Sequence, residues 1–439
     1  GGDALAVARI LQTHGYRVRL GILSEDLPAD ANSNLQYFLH TGQSVLLSAE
    51  ENIAAFFAQP AQILVDGLFG SGLTREPSGL YREIIRRINA HTAFRYSIDL
   101  PSGVFADSGQ AAFAVQADKT ITFSYPKPGH FLYPGRACTG RLVIAPIAPH
   151  ALLSEHFSEY WVNHFSLPER ASDSNKGNYG KVAILAGSEP MSGAAVLCTK
   201  AAIAGGAGIT YFLGCNPVCR LIRQLIPSAI ARAISKEEEF LVCEDILPLL
   251  EDYHALVLGP GLGQNKASYG MVSQIAASDF PKVLDADALN LLSKATHPVY
   301  GKNTILTPHP GEFSRMIGKP IGEILASPLE YARAYARKYQ VCLLLKGATT
   351  LVTDGQTSYF ITAGTPGMAK GGSGDVLSGV IGALLAQGFP LMQSAYGAAY
   401  LCGKAAELAA SVHSTYAMTP EHTIEFLGKA ILQEQSSHS

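Results

Sequence analysis

Gly371-Gly372-Ser373-Gly374-Asp375 runs directly into Val376-Leu377-Ser378-Gly379-Val380-Ile381-Gly382-Ala383-Leu384-Leu385. Apolar residues at 376, 377, 380, 381, 384 and 385 repeat with a helical period, so the spacing predicts a helix that starts at the glycine-rich segment. Free backbone N–H groups and the helix dipole favour an anion at such an end. Asp375 is the odd member, because a carboxylate beside a phosphate site is repelled. A base placed to take a proton from a hydroxyl that attacks a phosphoryl group explains that cost. The plainer alternative is a helix-capping Asp after a flexible turn. Four small residues before the Asp and an apolar helix after it favour the functional reading.

Outward from this helix, apolar runs of strand length alternate with helical periods. Ala61 to Val65, Lys181 to Leu185, Ala255 to Leu258, Thr304 to Leu306 and Val341 to Leu345 read as strands. Leu329 to Tyr339 reads as a helix, with Pro328 suited to its first turn. Short buried strands between helices predict an α/β fold with parallel, doubly wound sheets, one pattern in each half. Residues 150–178, with Trp161, Pro168 and the polar run from Ala171 to Asn178, read as a linker ending in a functional loop. The boundary is expected near residue 160.

Composition narrows the class. The 439 residues suggest two or three domains at roughly 150 residues each. Lys plus Arg is 33 and Asp plus Glu is 36, a net charge of −3, which excludes a strongly basic nucleic-acid binder. A hydrophobic fraction of 47% with 16% charged residues supports large cores rather than disorder. The seven cysteines are odd in number and form no CxxC, so reduced thiols and a cytoplasmic setting are expected. Cys215 and Cys219 lack a second ligand pair, so zinc is not expected. Lys200 and Asp375 interrupt the longest apolar stretches, and no membrane association is expected. No initiator Met precedes Gly1-Gly2-Asp3, so an N-terminal truncation is expected.

Other strand-end turns fit a nucleotide site, because open α/β sheets bind ligands at the carboxyl ends of their strands. Lys346-Gly347-Ala348-Thr349-Thr350 follows one buried run; Lys346 can reach phosphate, and the alternative is a surface hairpin turn. Thr307-Pro308-His309-Pro310-Gly311-Glu312 follows another, with His309 able to bond a polar substrate. Leu258-Gly259-Pro260-Gly261-Leu262-Gly263 lets backbone approach a flat ligand. Leu284-Asp285-Ala286-Asp287 offers two carboxylates, either to hold Mg²⁺ through water or to cap a helix. Lys176-Gly177-Asn178-Tyr179-Gly180-Lys181 leads into a strand, and Gly193-Ala194 opens a helix of small residues. In the N-terminal half, Gly1-Gly2-Asp3 heads a helix, while Ile63 to Asp66 and Ser97 to Asp99 are strands that end in acids and glycine-rich loops. Brought together, these turns make a pocket; taken singly, each can be turn and capping chemistry.

Six of these motifs, from Lys-Gly-x-Tyr-Gly-Lys to Gly-Gly-Ser-Gly-Asp, appear in the order of the NAD(P)H-hydrate dehydratase family, which residues 165–435 resemble. The resemblance implies a ribokinase-like α/β domain. It implies substrate contacts at Ala194, Gly261, Gly263, His309 and Asp375, and nucleotide contacts at Lys346, Gly347, Ala348, Thr349, Thr350, Gly372, Ser373 and Gly374. Two positions depart: Asn175 stands where the family usually has His, and Thr365 where it usually has Asn. Residues 1–155 resemble the NAD(P)H-hydrate epimerase domain, a Rossmann-like three-layer unit, with Lys119 to Tyr125 and Pro126-Lys127-Pro128-Gly129 as its closing strand and loop. That resemblance implies K⁺ at Asp66 and Ser102. It places substrate against Gly2, Asp3, Gly70, Ser71, Gly72, Leu73, Thr74, Arg75, Glu76 and Asp99, with Asp99 handling the proton. The family motif Asn-Asn-Gly-Gly-Asp is present here only from its Gly-Gly-Asp, so the epimerase half is expected to be slow or inert beside an active dehydratase.

The implied chemistry is repair of a hydrated nicotinamide carrying a hydroxyl on C6. ADP phosphorylates that hydroxyl, phosphate is eliminated, and AMP remains; the N-terminal half interconverts the R and S epimers. NAD(P)HX and ADP are the expected ligands, Mg²⁺ and K⁺ the expected ions, and a homo-oligomer the expected assembly. The competing readings are a small-molecule kinase of the ribokinase-like class and an N-terminal half that binds dinucleotide without catalysis.

Overall fold

The computed structural model describes residues 2–40, 42–147, 157–235 and 239–436. Gly1 of the opening motif and residues 148–156 of the expected boundary lie outside the described residues. The chain forms two compact units, Gly1–His156 and Phe157–Ser439.

In the first unit the helix Gly2–Thr13 precedes β1 (Leu20–Ile22), which pairs in parallel with β2 (Ser44–Leu46). A four-stranded parallel sheet follows in the order β3 (Ile63–Asp66), β4 (Phe94–Ile98), β5 (Lys119–Phe123), β6 (Arg141–Ala145). Ile84, Ile85 and Ile88 share one face of the helix Leu80–Ala90, as their spacing requires, and form a core with Leu47, Ile53 and Val115. The strand read from Ala61 starts instead at Ile63, where pairing with Phe94 begins.

The second unit holds β7 (Glu159–Val162), β8 (Lys181–Leu185), β9 (Ile209–Gly214), β10 (Ile230–Ala233), β11 (Ala255–Leu258), β12 (Lys282–Leu284), β13 (Thr304–Leu306), β14 (Cys342–Leu345), β15 (Thr350–Thr353) and β16 (Ser358–Ile361). They make one sheet in the order β10-β9-β8-β11-β12-β13-β14-β15-β16-β7. It is parallel from β10 to β14, and the strands β8, β11 and β13 have the bounds read from sequence. Two features correct that reading. Strands β14 and β15 are antiparallel, as are β15 and β16, because the short turn after Leu345 leaves no room for a crossover helix. The stretch taken as linker contains β7, which pairs with β16; Tyr160 stacks on Tyr359 and Trp161 Nε1 donates to Thr362 Oγ1. It is only four residues long, which hid the strand.

The helix Ser373–Ala386 is buried at every residue from Val376 onward. It packs on the helix Ser192–Ala204 and on β11. Gly382 allows this, since a Cβ there would lie 2.3 Å from Val257 Cγ2. Among the described residues no helix is long and apolar enough to cross a membrane. Overpacking at this contact is expected to cost about 1–3 kcal/mol. Gly382→Val should therefore lower the urea midpoint of the second unit, and an unchanged midpoint would show that the helix does not depend on this contact.

Candidate active site

The C-terminal unit gathers its candidate side chains at the carboxyl ends of β11 to β14, where the helix Ser373–Ala386 also begins. Asp285 follows β12 and Lys346 follows β14; Lys346 Nζ lies 2.8 Å from Asp285 Oδ1 and 3.8 Å from Glu312 Oε2. Ser378, one turn into the helix, donates to the other oxygen of Asp285 at 2.7 Å. Gly374 closes the cluster, because a Cβ on it would stand 3.3 Å from Lys346 Nζ and 3.8 Å from Asp285 Oδ2. Burial opposes the charge of Lys346, but Asp285 and Glu312 outweigh it and raise its pKa. Asp375 stands beside this group. Burial first, then the Asp285 carboxylate, pushes its pKa up to about 7, while Lys346 holds it down. A carboxylate that exchanges a proton near neutrality suits general-base work.

The remaining expected residues fall around this centre. Gly372 has φ +99°, and a Cβ on it would strike Leu197 Cδ1 at 2.6 Å. Gly347, Ala348 and Thr349 form the turn between β14 and β15, and Thr350 opens β15, so the hairpin and the phosphate-loop readings describe the same segment. Gly261 lies against Ala194, with a would-be Cβ 2.7 Å from Ala194 Cβ. Gly263 N–H donates to Asp287 Oδ2 at 2.9 Å, so Asp287 braces the glycine loop after β11 rather than capping its own helix. His309 caps the helix Pro310–Ile317, its Nδ1 accepting from Gly311 N–H at 3.0 Å, and stays half-exposed. The two departures also act as caps: Asn175 accepts from Gly177 N–H and Thr365 from Gly367 N–H. Sequence reading missed Ser378 and Lys370. Lys370 Nζ donates to the carbonyls of Tyr416 and Met418 at 2.6 Å each and anchors the residue just before Gly371. Lys370 carries only the weak signal of a cation beside the glycine run.

In the N-terminal unit the expected residues divide into two sets. Asp66 is buried and accepts from Ser97 Oγ, Ser102 N–H, Ser102 Oγ and Leu68 N–H. Burial raises its pKa. Asp99, two positions past the end of its pairing with β3, adopts φ +66°. Its Oδ1 is held by Lys127 Nζ and by Thr122 Oγ1, and the Ser71 amide donates to its carboxylate. Gly70 lies close, a Cβ there being 3.5 Å from Asp99 Oδ2. Burial pulls the pKa of Asp99 upward, but Lys127 outweighs it and the net shift is down. Gly67 packs on Ala4, which brings the head of the first helix, Gly2 and Asp3, to the loop after β3. Ser71, Gly72, Thr74, Arg75 and Glu76 are exposed and Leu73 is half-buried.

Residues 182–429 match the family described as NAD(P)H-hydrate dehydratase, and residues 1–129 match the YjeF-related protein N-terminus. The bifunctional NAD(P)H-hydrate repair enzyme Nnr of Moorella thermoacetica is 36% identical over 97% of this chain and 84% of its own length. The Escherichia coli protein of the same name is 33% identical over 95% of this chain and 80% of its own. The ADP/ATP-dependent NAD(P)H-hydrate dehydratase of Bacillus subtilis, co-crystallized with ATP/Mg²⁺, superposes with a TM-score of 0.54 at 32% identity over 61% of this chain and 95% of that one. With its epimerase-type and dehydratase-type units in one polypeptide, the chain belongs to the family of bifunctional NAD(P)H-hydrate repair enzymes.

Proposed function

We propose that the C-terminal unit dehydrates S-NAD(P)HX at the expense of ADP, and that the N-terminal unit interconverts the R and S epimers, against the slow or inert half expected from its opening motif, because Asp99 and its bonded partners are in place. The observation that carries this reading is Asp375, a carboxyl with a pKa near neutrality at the N-terminus of a buried helix, beside a paired lysine. Asp375 takes the proton of the C6 hydroxyl, whose oxygen attacks the terminal phosphoryl group of ADP and releases AMP. Gly372, Ser373 and Gly374 meet the transferring phosphoryl with backbone N–H groups, and Lys346 meets the donor phosphate. Phosphate, a better leaving group than hydroxide, then departs from C6; a proton leaves the neighbouring carbon and the ring double bond returns. His309, Ala194, Gly261 and Gly263 line the substrate side.

Among the described residues no group of three or more His, Cys, Asp or Glu is set to hold a metal ion. Magnesium, which keeps several waters and rests on one or two carboxylates plus phosphates, fits this site as an ion arriving with the nucleotide. Asp287, the more open of the two carboxylates, would receive it through water, with Asp285 behind it already matched by Lys346 and Ser378, and there it would neutralise phosphoryl charge. Potassium would be held by Asp66, a buried carboxylate with no cation beside it among the described residues, and by Ser102, whose hydroxyl can turn from Asp66 toward a cation. No step is routed through it. Seven free cysteines, six of them buried, support a cytoplasmic setting.

Asp375→Asn should lower dehydration of the S epimer by roughly 10²–10⁴-fold while ADP still binds, and near-normal turnover would remove Asp375 from the mechanism. Wild-type turnover should rise with pH and level off above about 7. The folded pKa lies above the ordinary 3.8, so the stability that protonated Asp375 contributes is present at low pH and lost as pH rises through about 7. Asp375→Asn should accordingly melt at a higher temperature than wild type at pH 8 and at the same temperature near pH 4; equal melting at both would refute the shift. Lys346→Ala should weaken ADP by roughly 1.5–3 kcal/mol in a calorimetric titration. It should also move the pH midpoint of turnover above 7, because Lys346 is the cation that favours ionised Asp375. An unchanged ADP affinity would put Lys346 outside the phosphate site.

A further inference from the structure

The N-terminal unit contains a second carboxylate–lysine pair. Lys127 Nζ is bonded to Asp99 Oδ1, and Thr122 Oγ1 joins them, accepting from Lys127 at 2.9 Å and donating to Asp99 at 3.0 Å. Asp99 is a non-glycine residue at φ +66°, a strained conformation that persists where the surroundings enforce it. Here His130 enforces it. Its Nε2 donates to the Asp99 carbonyl at 2.7 Å, while its Nδ1 accepts from the Lys127 amide at 2.9 Å. One buried imidazole thus braces the backbone of both residues, and burial lowers its pKa, so it serves as a neutral strut rather than as an acid. The carboxylate and the ammonium both keep an exposed fraction, 13% and 24% of their side chains. Among the described residues Lys127 is the one cation paired with Asp99.

Inverting C6 of a hydrated nicotinamide requires more than a base. C6 carries the hydroxyl and is bonded to the ring nitrogen. If the C6–N bond breaks, the oxygen forms a carbonyl as its proton leaves, and the nitrogen keeps the bonding electron pair and needs a proton. A carboxylate alone supplies half of this. We propose that Lys127 is the acid partner of Asp99, donating a proton to the ring nitrogen as Asp99 takes the hydroxyl proton. The assignment rests on the epimerase reading of this unit. The step leaves Asp99 as the acid and Lys127 as the amine, already in contact, so the proton passes between them and the ion pair is restored. The open-chain aldehyde turns about its C5–C6 bond, and closure runs the same transfers backwards onto the other face. No oxidant, reductant or further reactant is consumed.

The test measures conversion of R epimer to S in the full chain without ADP, so that dehydration is off. Lys127→Met removes the donor. Lys127→Arg keeps the charge and the pairing with Asp99, but its guanidinium does not release a proton in a protein. Both variants should lose roughly 10²–10⁴-fold in conversion. They should dehydrate S epimer with ADP at the wild-type rate, and hydrogen exchange in β4 and β5 of Lys127→Arg should match wild type. Wild-type conversion by Lys127→Arg would show that only the charge is needed and would overturn the acid role, as would an active Lys127→Met. Lost exchange protection in Lys127→Arg would make the residue a structural strut and overturn the proposal too. Wild type no faster than spontaneous epimerisation would instead refute the epimerase reading on which the proposal stands.

Discussion

The pair formed by buried Asp285 and part-buried Lys346 is the contact on which the C-terminal site depends. A charge removed from water has to be matched, and an unmatched one destabilises a fold by several kcal/mol. Asp285 comes from the end of β12, Lys346 from the end of β14 and Ser378 from the long buried helix, so satisfying one carboxylate ties three elements together. Asp375 sits against this group and feels both of its charges, and its proton affinity follows from burial, Asp285 and Lys346 together. The positions of the base and of the phosphate-side cation are therefore consequences of one ion pair.

The helix can bring Asp375 to that pair because small residues let it approach the sheet. Gly382 meets Val257, and the helix Ser192–Ala204, rich in alanine, packs alongside. The same economy appears in the N-terminal unit, where Gly67 admits Ala4 and the buried His130 holds Asp99 and Lys127 in register. Each unit thus presents a carboxylate next to a lysine, tuned in opposite directions. Asp375 is shifted up by burial and neighbouring acids, whereas Asp99 is shifted down by its direct contact with Lys127.

Much of this was legible in the sequence. Strands buried on both faces, such as Ala255 to Leu258, declare themselves by apolar content alone, and the glycine run before Asp375 marks a helix start by its change of period. What stayed hidden depends on long-range partners. The edge strand Glu159–Val162 is only four residues long, and its pairing with Ser358–Ile361 spans some 200 positions. Ser378 looks like any small residue in an apolar helix until Asp285, 93 positions away, supplies its acceptor. Lys127 was visible as part of a proline-rich loop, but the left-handed turn that places Asp99 on it has no signature in composition. Asp287 carried a cap signal and took a different bond, because Gly263 offered a buried amide.

The central claim is that the dehydratase-type unit completes an elimination rather than stopping at phosphoryl transfer. The direct measurement is to supply hydrated NADH as the S epimer with ADP, and to follow dihydronicotinamide absorbance alongside AMP and inorganic phosphate. The account predicts that absorbance, AMP and phosphate rise together in equal amounts. A stable phosphorylated product, with AMP formed and no recovery of absorbance, would contradict it.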